Sequence, residues 1–251
     1  MESSGLRIIG IRLLSFVALV AVWQLAATLA ASHLLPSPAA VIAIMSTEIA
    51  RGELPFHVGI TLARAGASFV VAMVIGGAIG IALGRVAALN QFFDGWLVLF
   101  LNIPALVTIV LCYVWFGLGE SVAIAAVAIN KIPNVVVTLR EGSRALSRDN
   151  LEMAAVYRFG RWKTLRHVVL PELFPFIIAA ARSGLALIWK IVLVVELLGR
   201  SNGVGFQIYL FFSLFDVASI LAYTIAFVAV IQLIEFTILL PLDRRAARWR
   251  R

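Results

Sequence analysis

Polar chemistry is scarce in this chain. Of its 251 residues only 14% are charged, one is cysteine and three are histidine. Cys112 lies inside an apolar run and His33, His57 and His167 are scattered, which leaves neither a disulfide framework nor a His/Cys metal cluster. No Gly-x-x-x-x-Gly-Lys-Ser/Thr stretch occurs, so the chain has no loop of its own to cradle nucleotide phosphates. No nucleophile triad or carboxylate dyad stands on a polar face, and no catalytic residue or cofactor is assigned to the chain. The apolar runs are continuous rather than alternating, which argues against a β-barrel.

What is abundant is hydrocarbon: 62% of residues are apolar and the mean hydropathy is +1.02. Crossing a hydrocarbon layer of roughly 30 Å takes about 20 mostly apolar residues as helix, and several runs are that long. Lipid offers the backbone no hydrogen-bond partners, so such runs must be helical. The fold class is therefore an all-α integral membrane protein of about six transmembrane helices, in contact with membrane lipid. The net charge of +8 reports topology beside such spans rather than nucleic-acid binding.

The expected organisation is a first span over 13–31, a rigid turn at Leu35-Pro36-Ser37-Pro38, and an amphipathic interfacial helix to about residue 57. A core of membrane spans over 58–243 follows, with a basic tail at 244–251. The second span, 65–83, carries Ala72, Gly76, Gly80 and Gly84 at every fourth position, a stripe on which a neighbouring helix can pack closely. A third span, 92–116, is interrupted by Asn102-Ile103-Pro104; the proline frees a backbone carbonyl, which suits a helix lining protein or a watery path and makes Asn102 a pathway candidate. A fourth, 121–139, contains Asn130-Lys131-Ile132-Pro133; a fifth covers 173–198 and a sixth 217–240.

Alternation of six spans groups the cations in two. The N-terminus, Arg85, the loop 140–167 and the tail carry 15 lysines and arginines on one side, against Arg51, Arg64 and Arg200 on the other. The positive-inside rule then places both termini and the long basic loop in the cytoplasm. Within that loop Asp149 precedes Glu152 by three residues, the spacing of an N-cap and its reciprocal acidic partner. A short helix is predicted to begin near Asn150, to present a flat side at Ala154 and Ala155, and to stop at Gly160 in the left-handed conformation. A second short helix leads to Leu170-Pro171 and the fifth span.

Glu152, Ala154, Ala155, Gly160, Val169, Leu170 and Pro171 resemble the EAA loop of ABC importer permeases. Met153 is an extra residue between the glutamate and the alanines, and the family's aliphatic position is Val169 here. Leu35-Pro36-Ser37-Pro38, Thr61 with Arg64, Ser68-Phe69, Ile103-Pro104, Trp115-Phe116-Gly117, and Glu196 before Gly203-Val204-Gly205 resemble the permeases for sulfonates, taurine, nitrate and bicarbonate, over nearly the whole chain. The resemblance implies a MetI-like type I importer fold in a bacterial inner membrane. It implies a loop docked as a coupling helix on one of two ATP-binding subunits, which bind the ATP and magnesium. A second permease copy, as a homodimer, and an extracytoplasmic substrate-binding protein complete the expected machine.

Charges inside spans are candidates for function because each costs at least about 2.5 kcal/mol at mid-bilayer. Arg182, Trp189 and Glu196 recur every seven residues, within about 20° of one another on a helix, with Lys190 one position off. The resemblance gives Glu196 a pathway or gate role; a structural partner for Lys190 or the backbone is the competing reading. Arg182 suits snorkelling or pairing with the loop. Lys131 and Lys190 fall outside the family pattern and favour an anionic cargo, with a thiamine-precursor pyrimidine as the substrate alternative. An ATP-independent secondary transporter or channel, and a lipid-binding scaffold, are the rivals to the importer.

Overall fold

In a computed structural model residues 2–241 are described, and within them no strand occurs. The basic tail 244–251 and the side chains of Arg7 and Arg12 lie outside the described residues. The helices are α1 (Glu2–Ala30), α2 (Pro38–Ala50), α3 (Glu53–Arg85), α4 (Ala87–Asn102), α5 (Ala105–Phe116), α6 (Glu120–Arg144), α7 (Arg148–Val156), α8 (Arg161–Thr164), α9 (Leu170–Gly199), α10 (Val204–Ser213) and α11 (Val217–Ile234). Among the described residues five helices are long and apolar enough to cross a membrane, or six if α4 and α5 count as one bent span. The expected count of about six therefore holds.

Several boundaries differ from expectation for local reasons. After the turn Ser37 caps α2, its hydroxyl accepting from Ala40 N at 3.3 Å, with Pro38 in the first turn where no N–H is needed. α2 ends at Ala50, and α3 already starts at Glu53, so the expected interfacial helix to residue 57 is shorter and the boundary between 57 and 58 falls inside α3. α2 also packs on α11, where Tyr223 Oη donates to Glu48 at 2.9 Å, so part of its polar side faces protein. With 33 residues, α3 is about 50 Å long at 1.5 Å per residue and overruns the hydrocarbon layer.

The third span is broken rather than kinked. Ile103, preceding a proline, is extended at φ −71° and ψ 123°, and α5 leaves α4 at 95°.

α3, α6 and α9 form the centre. α3 and α6 run in the same direction: Ser68 Oγ donates to Ile124 O at 3.2 Å, and Gly80 and Gly84 lie against the backbone of Val136 and Arg140. The four-residue stripe makes this approach possible, since a Cβ on Gly80 would stand 2.7 Å from Val136 O and one on Gly84 2.6 Å from Arg140 O. α9 runs against both, bringing Gly142 beside Phe176, Lys131 beside Gly184 and Glu120 beside Arg200. The apolar core around Ile109, Ala126, Ile188, Val192 and Tyr223 fills the half of the bundle away from the α6–α9 connection.

Replacing Gly80 by valine should separate α3 from α6 and cost about 1–3 kcal/mol or more, as overpacking does. Gly66→Val is the matched control, since Gly66 is exposed with open space around it, and its expected cost is within about 0.5 kcal/mol. Thermal unfolding of the two variants decides: equal midpoints would show that the glycine contact does not hold the helices.

Candidate coupling surface and intramembrane charges

The connection between α6 and α9 is built on one carboxylate. Glu172, in the first turn of α9, accepts from Ser147 N at 2.9 Å and from Asn150 Nδ2 at 2.6 Å. Ser147 caps α7 by accepting from Asn150 N at 3.4 Å. The predicted Asp149 cap is thus corrected to Ser147: the glutamate on α9 fixes the entry to the helix two residues earlier. Glu152 is exposed and its side chain makes no hydrogen bond among the described residues.

The end of α7 also differs. Its left-handed residue is Arg158 (φ 51°), with Phe159 N donating to Ala154 O at 2.8 Å and Arg158 N to Ala155 O at 3.0 Å, a Schellman closure. Gly160, predicted to end the helix, instead has φ −63° and ψ 158° and caps α8, with nothing within 4 Å of a Cβ built on it.

Of the expected flat pair, Ala154 is buried in the chain and Ala155 is exposed. The outward side of the loop is apolar: Val156 is 79% exposed, and Tyr157 and Trp162 71% each. Sequence reasoning passed over these three because they stand among Arg148, Arg158, Arg161 and Lys163.

Beyond α8 the helix continues into α9 through one widened turn, Leu165–Val169, rather than as a separate short helix. Pro171 has no N–H and its ring opposes the carbonyl four residues back, at His167, inside that turn. Val169 is buried, while Leu170 and Pro171 are exposed.

At the opposite end, Glu196 is fully buried with a complete set of partners. Its Oε1 accepts from Arg64 Nη1 at 2.8 Å, and its Oε2 from Thr61 Oγ1 and Gly205 N at 2.9 Å each. Arg64 also grips Glu120 through Nε (2.6 Å) and Nη2 (2.9 Å), and donates to Asn202 O (2.8 Å) and to the Asn202 side chain. Arg200 Nη2 donates to Glu120 at 2.8 Å. Gly203, at φ 106°, donates its N–H to His57 Nδ1 at 3.0 Å, and a Cβ there would run into the Glu196 carboxylate.

Thr61, Arg64, Glu196, Gly203 and Gly205, noted separately along the sequence, thus form one clasp joining α3, α6, α9 and the turn before α10. Glu120 and Asn202 were missed. Opposite charges at matching ends of neighbouring spans were the available signal.

The remaining intramembrane candidates do not share one site. Lys131 is 2% exposed, between Phe69 and Gly184. Trp189 is buried, whereas Lys190 is exposed on another side of α9 with Leu187 and Val194. Arg182 is exposed and lies 3.6 Å from Glu235 of the last helical run, so the seven-residue stripe joins Trp189 to Glu196 but not to Arg182. Asn102 is exposed and its Nδ2 donates to Val98 O of its own helix at 2.7 Å.

Residues 68–247 match the family described as binding-protein-dependent transport system inner membrane component. The chain is 31% identical over 196 residues to the permease protein named for aliphatic sulfonates transport in Escherichia coli (strain K12), covering 76% of this chain and 73% of that protein. It is 26% identical over 198 residues to the taurine transport system permease protein of the same organism, covering 77% of this chain and 70% of that one. The fold matches inward-facing conformations of the MetNI methionine ABC transporter, with a TM-score of 0.67 at 19% identity over 80% of this chain and 98% of that chain. On the family match the chain belongs to the inner-membrane permease subunits of type I ABC importers, which are not enzymes.

Proposed function

We propose that this chain forms the translocation pathway of an ABC importer for a small anion, such as a sulfonate, taurine, nitrate, bicarbonate or an organic carboxylate, delivered by an extracytoplasmic binding protein. The observation that carries the ATPase-driven reading is the loop around α7. Val156, Tyr157 and Trp162 are exposed in a stretch whose arginines and lysine keep it out of the hydrocarbon layer. An uncovered aromatic and aliphatic patch ringed by charge is the composition of a protein interface. Its partner in this reading is one of two ATP-binding subunits, which hold the ATP and magnesium. The excess of cations around the loop puts it, with both termini, on the cytoplasmic side of a bacterial inner membrane.

The anion reading rests on cation placement and on the relatives named for sulfonates and taurine. Lys190 is exposed on α9 among apolar side chains. A lysine at that depth facing lipid is costly, and a second copy of the chain packed on this face would give it a shared, polar surrounding. The pathway then runs between the two copies, with Trp189 and Glu196 behind it and Lys190 beside it.

Gly160 separates this reading from a self-contained transporter or a lipid-binding scaffold. Its backbone suits any residue and its Cβ position is open, so Gly160→Trp should leave the unfolding midpoint of the chain unchanged. At the centre of a docked interface the bulk should cost about 2 kcal/mol or more, roughly thirtyfold in assembly affinity with the ATPase, and stop ATP-driven uptake. Unchanged ATP-driven uptake would sink the docking assignment, and uptake without ATP the importer. For the cargo, Lys190→Met should lower uptake of a sulfonate roughly tenfold or more, the scale of about 1.4 kcal/mol, while co-purification with the ATPase persists; full uptake removes the anion argument from Lys190.

A further inference from the structure

Lys131 is the one buried cation among the described residues for which the chain supplies no counter-charge. Arg64 is buried against Glu120 and Glu196. Lys131 is as deeply buried, at 2% exposed, and has no hydrogen bond or ion pair. Its stem passes Gly184, where an added Cβ would stand 3.1 Å from Lys131 Cε and 3.7 Å from the Phe69 ring. The side chain therefore reaches the junction of α3, α6 and α9 because residue 184 has no side chain.

No carboxylate of α9 is at that level, and Glu235, which does lie near it, is 3.6 Å from Arg182 two residues before Gly184. The two acidic residues of α9 are Glu172 and Glu196, each twelve positions from Gly184 and so about 18 Å away along the axis. Both are engaged, Glu172 by Ser147 and Asn150 and Glu196 by Arg64, Thr61 and Gly205. The ammonium is not sealed in either. Among the described residues Arg200 Nε alone is a fully enclosed polar side-chain atom without a partner, so the unbonded Lys131 Nζ keeps a small accessible surface. A charge taken from water without a partner is strongly unfavourable. A small anion held against the ammonium would relieve it.

We propose that Lys131 binds one small monovalent anion at the α3–α6–α9 junction, midway between the clasp at Glu196 and the loop at Glu172. The site lies within a single chain, apart from Lys190 on the outer side of α9. The anion is either the transported solute or an ambient halide. The inference rests on the importer reading for the first of these alone, and the site itself stands without it.

The full-length chain, purified in detergent, is unfolded by heating while a thiol-reactive fluorophore reports exposure of its single, buried Cys112. Sodium gluconate, with a much bulkier anion, is replaced at constant ionic strength by chloride, nitrate, bicarbonate or ethanesulfonate. For the unaltered chain at least one small anion should raise the midpoint saturably by about 3 °C or more. Lys131→Met should melt above the unaltered chain in gluconate and respond to none of the four, while Lys131→Arg keeps part of the response.

A response to chloride equal to the others identifies an ambient ion; a response to nitrate, bicarbonate or ethanesulfonate exceeding that to chloride identifies the cargo. Should Lys131→Met fail to fold, Gly184→Ala serves in its place, since its methyl presses on Lys131 Cε and should at least halve the response. No saturable effect of any of the four anions on the unaltered chain, or an undiminished effect in these variants, overturns the proposal. Gly160→Trp probes the ATPase side alone, so failure here with coupling intact rejects the anion site and leaves the importer standing.

Discussion

Arg64 and Glu196 are buried against each other at 2.8 Å, their side chains 3% and 0% exposed, and the bundle depends on their staying so. Removing two charges from water is repaid only when geometry is good and the remaining donors and acceptors are used. Here Glu120 takes a two-pronged grip on the other edge of the guanidinium, and Thr61 and Gly205 share the second oxygen of Glu196. Loss of either partner would strand a buried charge, at about 3–5 kcal/mol. Because Arg64 is on α3, Glu120 on α6 and Glu196 on α9, one network fixes the relative heights of all three central helices. It also fixes Gly203 and Gly205, and with them the start of α10.

The rest of the central trio is held by different physics. From Gly76 to Gly84, α3 and α6 touch backbone to backbone, with side chains too small to intervene. In lipid this counts for more than hydrophobicity, since an apolar side chain gains little by exchanging lipid for protein. The two devices occupy different depths: charge pairing at Arg64, steric fit from Gly76 onward. Lys131 stands close to where the one gives way to the other, with neither a carboxylate nor a glycine groove to satisfy its charge. The same setting inverts the usual meaning of exposure. Val70 and Val74, open on α3, are what lipid requires, whereas the open lysine on α9 and the open tryptophan on the charged loop are what the proposed second copy and ATP-binding subunit would cover.

The spans were legible because length and hydropathy alone specify them, and the glycine stripe because its period is local. What the sequence concealed was decided by partners far along the chain. Asp149 and Ser147 are both good caps two residues apart, and Glu172 on α9 chooses between them. Gly160 and Arg158 compete to close α7, and the closing bonds to Ala154 and Ala155 select the arginine despite its side chain. Glu48 makes α2 look amphipathic until Tyr223 of α11 takes its carboxylate. The clasp is the extreme case: each member stands out locally, yet the bond from Arg64 to Glu196 spans 132 positions.

Gly160 then acquires a meaning that its own chain does not give it. Its φ and ψ are open to any residue and its Cβ would touch nothing, so neither backbone strain nor internal packing calls for glycine there. A missing side chain on a projecting loop can only matter to something that lies against the loop. The mechanical connections behind it are rigid: Ser147 and Asn150 bind α7 to Glu172, and the helical run Arg161–Gly199 is continuous from α8 to Glu196 apart from the widened turn ahead of Pro171. A displacement of α7 is therefore passed to α9 by two hydrogen bonds at its base. In the proposed machine it would be absorbed at the widened turn, where the backbone bonds reach five residues back instead of four, or delivered at the clasp, where three helices must move together or the Arg64–Glu196 pair must part. On the coupling proposed above, firm connections at the loop and at the clasp, with one widened turn over Leu165–Val169 between them, would let a push on α7 be felt at the far side of the membrane.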